Sequence, residues 1–262
     1  MIQGIDHLVI ACSDPDGAAA ELERHLGLAA TGGGRHDGAG TFNRIVWLTD
    51  SYLELIGVDE PEVAREQPLG RAVLKTIEDH GGGLVTYALE VDRLEPTVDR
   101  LRAEGSTIGP ATHGSRRRSD GEEVEWWTAQ FDRIAADQPP FLIQHAYTGR
   151  EWGIDALQVR RAFVHPLGSP AALVRLDVAT DDPPSLAAGY AAELGLEFWA
   201  VSDLAVCTIG RQTIRLVPRT RVPVPAVVTL GAAIETPRTH EALGLRFDVE
   251  RVELPLPAPN RA

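Results

Sequence analysis

Ile5-Asp6-His7-Leu8-Val9-Ile10, answered further along by Tyr52-Leu53-Glu54-Leu55-Ile56, decides how this chain is read. Both runs are short and largely apolar, as buried strands are, and His7 in the first and Glu54 in the second are side chains able to bind a metal or move a proton. Between them Ser13-Asp14-Pro15-Asp16 announces a helix that Gly27 stops. A Gly-rich turn follows, and then Thr41-Phe42-Asn43-Arg44-Ile45-Val46-Trp47-Leu48. The order is strand, helix, strand, strand, strand, and it puts His7 and Glu54 on two strands of one small unit.

That order recurs. Gly83 to Val91 runs into Asp92-Arg93-Leu94-Glu95, which reads as a capping box, and the helix stops at Gly105. Apolar stretches follow at Val124 to Phe131 and Pro140 to His145. A third pass starts at Leu173 to Val178, continues through a helix stopped by Gly195, and ends in Phe198 to Val201, Leu204 to Ile209 and Thr213 to Val217. Self-similarity of this kind outranks local propensity as evidence of architecture. The expected units span 4–58, 83–148 and 172–218, with helices near 14–26, 93–104 and 184–194 and a helical insertion over 59–82. Runs at Val227 to Ile234 and Leu245 to Val249 offer the third unit two extra strands, enough for a reduced half-barrel.

The β-α-β-β-β repeat, with its first-strand histidine and fourth-strand Leu53-Glu54-Leu55, resembles the vicinal oxygen chelate superfamily. More narrowly, Gly33-Gly34-Arg35-His36, Gly40-Thr41-Phe42-Asn43 and Ser51 to Leu55 resemble the glyoxalase-like domain family. The resemblance covers residues 4–148 well and the remainder loosely. It implies an α+β fold in which βαβββ modules pair into a cup-shaped mixed sheet with helices outside. Residues 1–150 would be the glyoxalase-like domain, and 151–262 a third module with extra C-terminal strands. It further implies a divalent metal held from the first and fourth strands of both paired modules.

In the first module those positions are His7 and Glu54. In the second, aligning helix stops sets Val85 or Thr86 against His7, and aligning Leu53-Glu54-Leu55 on Ile143-Gln144-His145 sets Gln144 against Glu54. A one-residue shift would present His145 instead, because strand side chains alternate faces. The expected metal set is therefore His7, Glu54 and one of Gln144 or His145, with an incomplete site, or one completed by a residue from elsewhere, as the alternatives. An ionised Glu54 among leucines must be paired, through a shared metal or directly with His7.

Glu54 and His36 are the catalytic candidates, the first as ligand and base, the second as a hydrogen-bonder or proton shuttle beside the flexible glycines. Asn43, Trp47, Trp126 and Trp127 are expected around a ligand. Adjacent tryptophans in a strand face opposite ways, so only one of Trp126 and Trp127 can line the cup. His25, His80, His113, His165 and His240 carry no pattern.

A net charge of −13 over 262 residues argues against a nucleic-acid backbone as partner. Arg116-Arg117-Arg118, beside a hairpin at Ser119-Asp120-Gly121, reads first as a solvated turn and second as a contact for an anionic substrate. Lys75 is the sole lysine, so a Schiff base has one candidate, in the insertion and expected to be exposed. Cys12 and Cys207 read as buried thiols. There is no nucleophile elbow, phosphate-binding loop or helical His-Glu-x-x-His.

No segment reads as a signal peptide or membrane span, so a cytoplasmic protein is expected. The Pro-rich tail from Leu254 is expected to fray or to lie as an extended arm. The expected function is binding of a small organic molecule in the cup, with metal-dependent lyase, isomerase or dioxygenase chemistry on vicinal oxygens. Metal-free sequestration is the alternative, and a second copy of the chain, docked through the cup edges, is the other expected partner.

Overall fold

The protein is described by a computed structural model covering residues 1–118 and 120–253. The expected C-terminal arm and Ser119 of the expected hairpin lie outside the described residues. The first unit is β1 (Ile2–Cys12), α1 (Pro15–Leu26), β2 (Gly32–His36), β3 (Thr41–Trp47) and β4 (Tyr52–Val58). The insertion forms α2 (Pro61–Glu66) and α3 (Pro68–His80). The second unit is β5 (Gly82–Val91), α4 (Leu94–Ala103), β6 (Thr112–Arg117), β7 (Glu123–Ala129) and β8 (Phe141–His145). After it come α5 (Gly149–Trp152) and α6 (Ile154–Arg161). The third unit is β9 (Ala171–Thr180), α7 (Pro183–Leu194), β10 (Trp199–Val201), β11 (Leu204–Ile209) and β12 (Gln212–Pro218), followed by β13 (Ala226–Ala232), β14 (Arg238–Ala242) and β15 (Leu245–Arg251).

The helices start and stop as the sequence demands. Asp14 accepts the Asp16 N–H ahead of α1, and Gly27, at φ 71°, ends it with a left-handed cap. Asp182 and Gly195 repeat this around α7. The expected capping box of α4 does not form. Asp92 pairs instead with the N-terminal amine at 2.5 Å, and the Leu94 N–H is capped at 2.7 Å by the Gln144 side-chain carbonyl from β8. The glycines read as a turn are part of β2, which pairs with β3 from Gly32 opposite Ile45 to His36 opposite Thr41.

Strands β1 to β8 close a barrel in the order β1-β4-β3-β2-β6-β7-β8-β5. Its seams are the antiparallel β1–β5 pair and the two-residue β2–β6 ladder, where His36 stands opposite Arg116. The remaining strands form an open seven-stranded sheet, β10-β11-β12-β9-β13-β15-β14. This is an α+β architecture of repeated βαβββ units with the first pair closed as a cup. The added strands β13 to β15 supply three strands of a further unit without its helix.

Alternation along the strands sorts side chains between two cores. Leu8, Ile10, Leu53, Leu55, Tyr87 and Leu89 point outward into one cluster with Leu176, Leu216, Val228 and Phe247, so the barrel and the open sheet share a single apolar core. Tyr87 and Tyr190 join hydroxyls inside it at 2.5 Å. Val9, Ala11, Ile56, Ala88, Phe141 and Ile143 point inward, where α3 lays Leu69, Ala72 and Val73 against them.

One irregularity positions the site. The β1–β5 register slips between Ile5 and His7, which is a bulge at Asp6. Ile5 keeps its place in the outer core while Asp6 and His7 both turn inward. Strand β4 first meets β1 at His7, so the peptide of Ile5 has no strand beside it on that side. Gln212 of β12 takes the place of one: its amide accepts the Ile5 N–H at 2.5 Å and donates to the Ile5 carbonyl at 3.0 Å. Replacing Gln212 with alanine leaves two buried backbone groups unpaired, which costs about 1–3 kcal/mol for each such group. A urea midpoint for Gln212→Ala no lower than wild type would contradict this account of the bulge.

Candidate active site

The barrel encloses a cavity of about 750 Å³ whose wall includes His7, Glu54, His36, Asn43, Arg116 and His145. His7 and Glu54 come from the adjacent parallel strands β1 and β4, and His7 Nε2 lies 3.6 Å from Glu54 Oε2. Each is fixed from behind. His7 Nδ1 lies 2.6 Å from Asp6 Oδ1, and the Asn43 amide nitrogen donates to Glu54 Oε1 at 2.5 Å. Asn43 cannot turn over, because its oxygen accepts the Gly34 N–H at 3.0 Å.

That orientation determines a tautomer. With its two hydrogens directed at Glu54 Oε1 and at His36 Nε2, 3.1 Å away, Asn43 requires His36 to accept at Nε2. His36 therefore carries its proton on Nδ1 and donates it to Thr41 Oγ1 at 2.8 Å. Burial agrees, lowering the His36 pKa against the pull of Glu54.

Asp6 is the residue the sequence reading missed. Burial alone would raise its carboxyl, but the His145 ring beside it and hydrogen bonds from His145 and His7 hold it well below the usual carboxylate range. An ionised Asp6 makes His7 Nδ1 a donor and leaves Nε2 facing Glu54. His145 donates Nε2–H to both Asp6 oxygens at 3.1 Å, while its own pKa is lowered by burial. Its Nδ1 has no partner. The only sequence signal for Asp6 was adjacency to His7, which strict alternation would have sent to the other face.

The other expected residues are distributed as follows. Trp126 lines the cavity, whereas Trp127 packs against the outer core and is corrected to a structural position, since the β7 pleat allows one of the pair inside. Trp47 is one layer back from the cavity, edge-on to Tyr52 and Trp152 at centroid distances of 5.2 and 6.0 Å. Gln144, expected as a ligand, is corrected to the helix cap described above. Lys75 is exposed and paired with Asp79.

Residues 5–194 match the family described as the glyoxalase-like domain. The chain belongs to that family. No curated protein matches the sequence. Among solved structures, a hypothetical protein from Staphylococcus aureus is similar over 95% of this chain and 99% of its own, at 15% identity and a TM-score of 0.77. A mutant 4-hydroxymandelate synthase from Streptomyces coelicolor matches 88% of this chain and 71% of its own, at 15% identity and TM-score 0.55. Methylmalonyl-CoA epimerase from the same organism, in complex with 2-nitronate-propionyl-CoA, matches 56% of this chain and 96% of its own, at 20% identity and TM-score 0.41. The fold is that of the vicinal oxygen chelate superfamily.

Register supplies the internal correspondences that alignment of motifs misplaced. Val9 stands opposite Glu54 on one side and Thr86 on the other, and Ala88 stands opposite His7 and Phe141. Exchanging β1 with β5 thus exchanges His7 with Thr86 and Glu54 with Phe141. The counterpart of Glu54 is Phe141, not Gln144 or His145. Among the described residues no three His, Cys, Asp or Glu side chains are grouped to hold a metal ion. Catalytic zinc sites take three protein ligands. His7 and Glu54 offer two, the His36 Nε2 lone pair accepts from Asn43, Gln144 is turned to the helix cap outside the barrel, and His145 Nε2 is engaged by Asp6. The residues present do not fit the four-position metal site that the family resemblance implied.

Glu90 of β5, paired with Gly4 and Ile143, adds a measurable marker. Burial, reinforced by Asp6, pushes its carboxyl up to about 7 from 4.5. Between those values the folded chain holds a proton that the unfolded chain has lost, so this group's contribution to stability falls as pH rises through that window. The stability of Glu90→Gln relative to wild type should therefore climb between pH ~5 and ~7 and level off above. Urea unfolding at a series of pH values checks it, and a pH-independent difference would be inconsistent with a buried, protonated Glu90.

Proposed function

We propose that the barrel cavity receives a small organic molecule bearing a carbonyl or comparable oxygen function, and that Glu54 and His7 transfer a proton on it. The observation that carries this reading is the 3.6 Å approach of His7 Nε2 to Glu54 Oε2. With Asp6 ionised and His7 Nδ1 donating to it, a bare Nε2 would face a bare carboxylate. One proton between them makes the contact attractive, so the pair is a poised acid and base opening onto a cavity.

In the proposed step Glu54 removes the hydrogen from the carbon next to the substrate oxygen function. The C–H electron pair moves into the enol, and His7 Nε2–H donates to the developing oxyanion. Asn43 keeps the Glu54 carboxylate from rotating, and Asp6 stabilises the His7 ring in the required tautomer. Return of the proton gives isomerisation; departure of a neighbouring group gives elimination. No step is routed through a metal, because the donor set does not fit one. The alternative, sequestration without conversion, draws on the apolar second half of the cup, where Phe141 replaces the carboxylate.

Incubating the protein in D₂O with a panel of 1,2-dicarbonyl, α-hydroxycarbonyl and β-ketoacid compounds, followed by proton NMR, tests this directly. At least one class should lose its α-proton signal, and Glu54→Gln should slow that exchange on the order of 10²–10⁴-fold, the usual weight of general acid–base catalysis. Binding detected by Trp126 fluorescence without any exchange would establish sequestration instead. Calorimetry with Mg²⁺, Mn²⁺, Fe²⁺, Ni²⁺ and Zn²⁺ should show no stoichiometric uptake. Tight uptake that Glu54→Ala abolishes would reinstate the metal reading.

A further inference from the structure

The arginine cluster Arg116-Arg117-Arg118 has no part in the proton transfer, yet one member is built into the cavity. Arg116 is 3% exposed and lines the wall. It stands opposite His36 in the β2–β6 ladder, and His36 Nε2 is 3.5 Å from Glu54 Oε1, so one side chain, His36, links the position beside Arg116 to the acid–base pair. Its Nη1 donates to the Gly33 carbonyl at 3.1 Å, and its Nη2 donates to Glu151. Arg118 reaches the other Glu151 oxygen at 2.7 Å.

Glu151 is supplied from outside the repeated units. It belongs to α5, a helix of four residues set between Gly149, at φ 72°, and Gly153. Just before it Tyr147 adopts φ 45°, a left-handed conformation that a tyrosine rarely takes, and such residues cluster at ligand clamps and switch segments. The neighbouring Trp152 stacks on His145 with centroids 3.3 Å apart. A short segment hinged at glycine thus places one carboxylate on two arginines at the cavity wall. Glu151 is 5% exposed, and a buried arginine requires such a partner.

We propose that Arg116 is the carboxylate subsite of the barrel's ligand, that Glu151 holds it as an internal carboxylate which the ligand's own replaces, and that the ligand is a small carboxylic acid with an apolar or ring-shaped body. This rests on the reading that the cavity receives a small organic molecule. The body lies along Trp126, Phe141 and Ile143, which line the same cavity. A carboxylate on Arg116 directs the adjoining carbon towards His36 and Glu54. The chain's net charge of −13 repels anions at long range, so capture depends on this buried cation and its planar hydrogen-bonding fork.

Phenylacetate and its neutral isostere phenylacetamide are suitable probes, followed by calorimetry and by tryptophan fluorescence with Trp152→Phe as the assignment control. Glu151→Gln should bind phenylacetate about tenfold or more tighter than wild type while leaving phenylacetamide unchanged, as expected when a competing charge-assisted bond is removed. Adding Arg116→Gln should abolish that gain. Slowed α-proton exchange in Glu54→Gln bears on the proton-transfer reading alone, whereas the phenylacetate affinity of Glu151→Gln bears on the carboxylate subsite alone, so the two readings fail separately. Phenylacetate affinity unchanged by Glu151→Gln in a protein with wild-type circular dichroism would overturn it. Should Glu151→Gln fail to fold, the wild-type comparison decides: phenylacetamide binding as well as phenylacetate would equally overturn the assignment.

Discussion

The bulge at Asp6 is the constraint on which the candidate site depends. An unbroken β1 would send Asp6 to the outer core, where a carboxylate among Leu8, Ile10 and Leu53 would be buried without partners. One slipped residue brings it inside, within 2.6 Å of His7 and 3.1 Å of His145. The bulge is in turn held by Gln212, a side chain of the open sheet that pairs with Ile5 as a strand would. The second sheet therefore does more than bury apolar surface: it fixes the backbone from which Asp6 and His7 project.

Three copies of one unit have diverged at the same backbone positions. Where the first places His7 and Glu54, the second places Thr86 and Phe141. In the third, β9 and β12 pair Asp177 with Arg215 as β1 and β4 pair Val9 with Glu54, so Arg215 takes the place of Glu54 and Arg175 that of His7. There the charges satisfy one another, with both Arg175 and Arg215 within ion-pair distance of Asp177. The candidate acid–base pair belongs to the first unit, and the apolar Phe141 across the cup turns what would be a symmetric ligand set into a cavity with one polar and one greasy side.

The fold was largely legible because its signals are periodic. Stop glycines at 27, 105 and 195, capping residues and alternating apolar runs each recur, and the helices follow them to within a residue or two. The site was legible only in its first half. His7, Glu54, His36 and Asn43 sit on regular strands whose alternation can be counted, and they meet around one carboxylate. Asp6 was hidden by a bulge, which has no sequence signature here. Phe141 was hidden because the second unit was aligned on a Leu-Glu-Leu-like pattern, three residues away from what strand register requires. Glu151 and Trp152 were hidden because they come from a short connecting segment that no repeat predicts.

A chain of hydrogen bonds gives the first half its chemical character. Gly34 fixes Asn43, Asn43 fixes one oxygen of Glu54 and the tautomer of His36, and Asp6 fixes His7. Each partner is itself immobilised by backbone or by a buried ring, so little reorganisation remains when charge moves. Between His7 Nε2 and Glu54 Oε2 a gap of 3.6 Å remains on the cavity side. With these supports preorganised, an incoming ligand meets a nitrogen and a carboxylate oxygen already held at a set separation, the geometry that the proposed proton transfer would use.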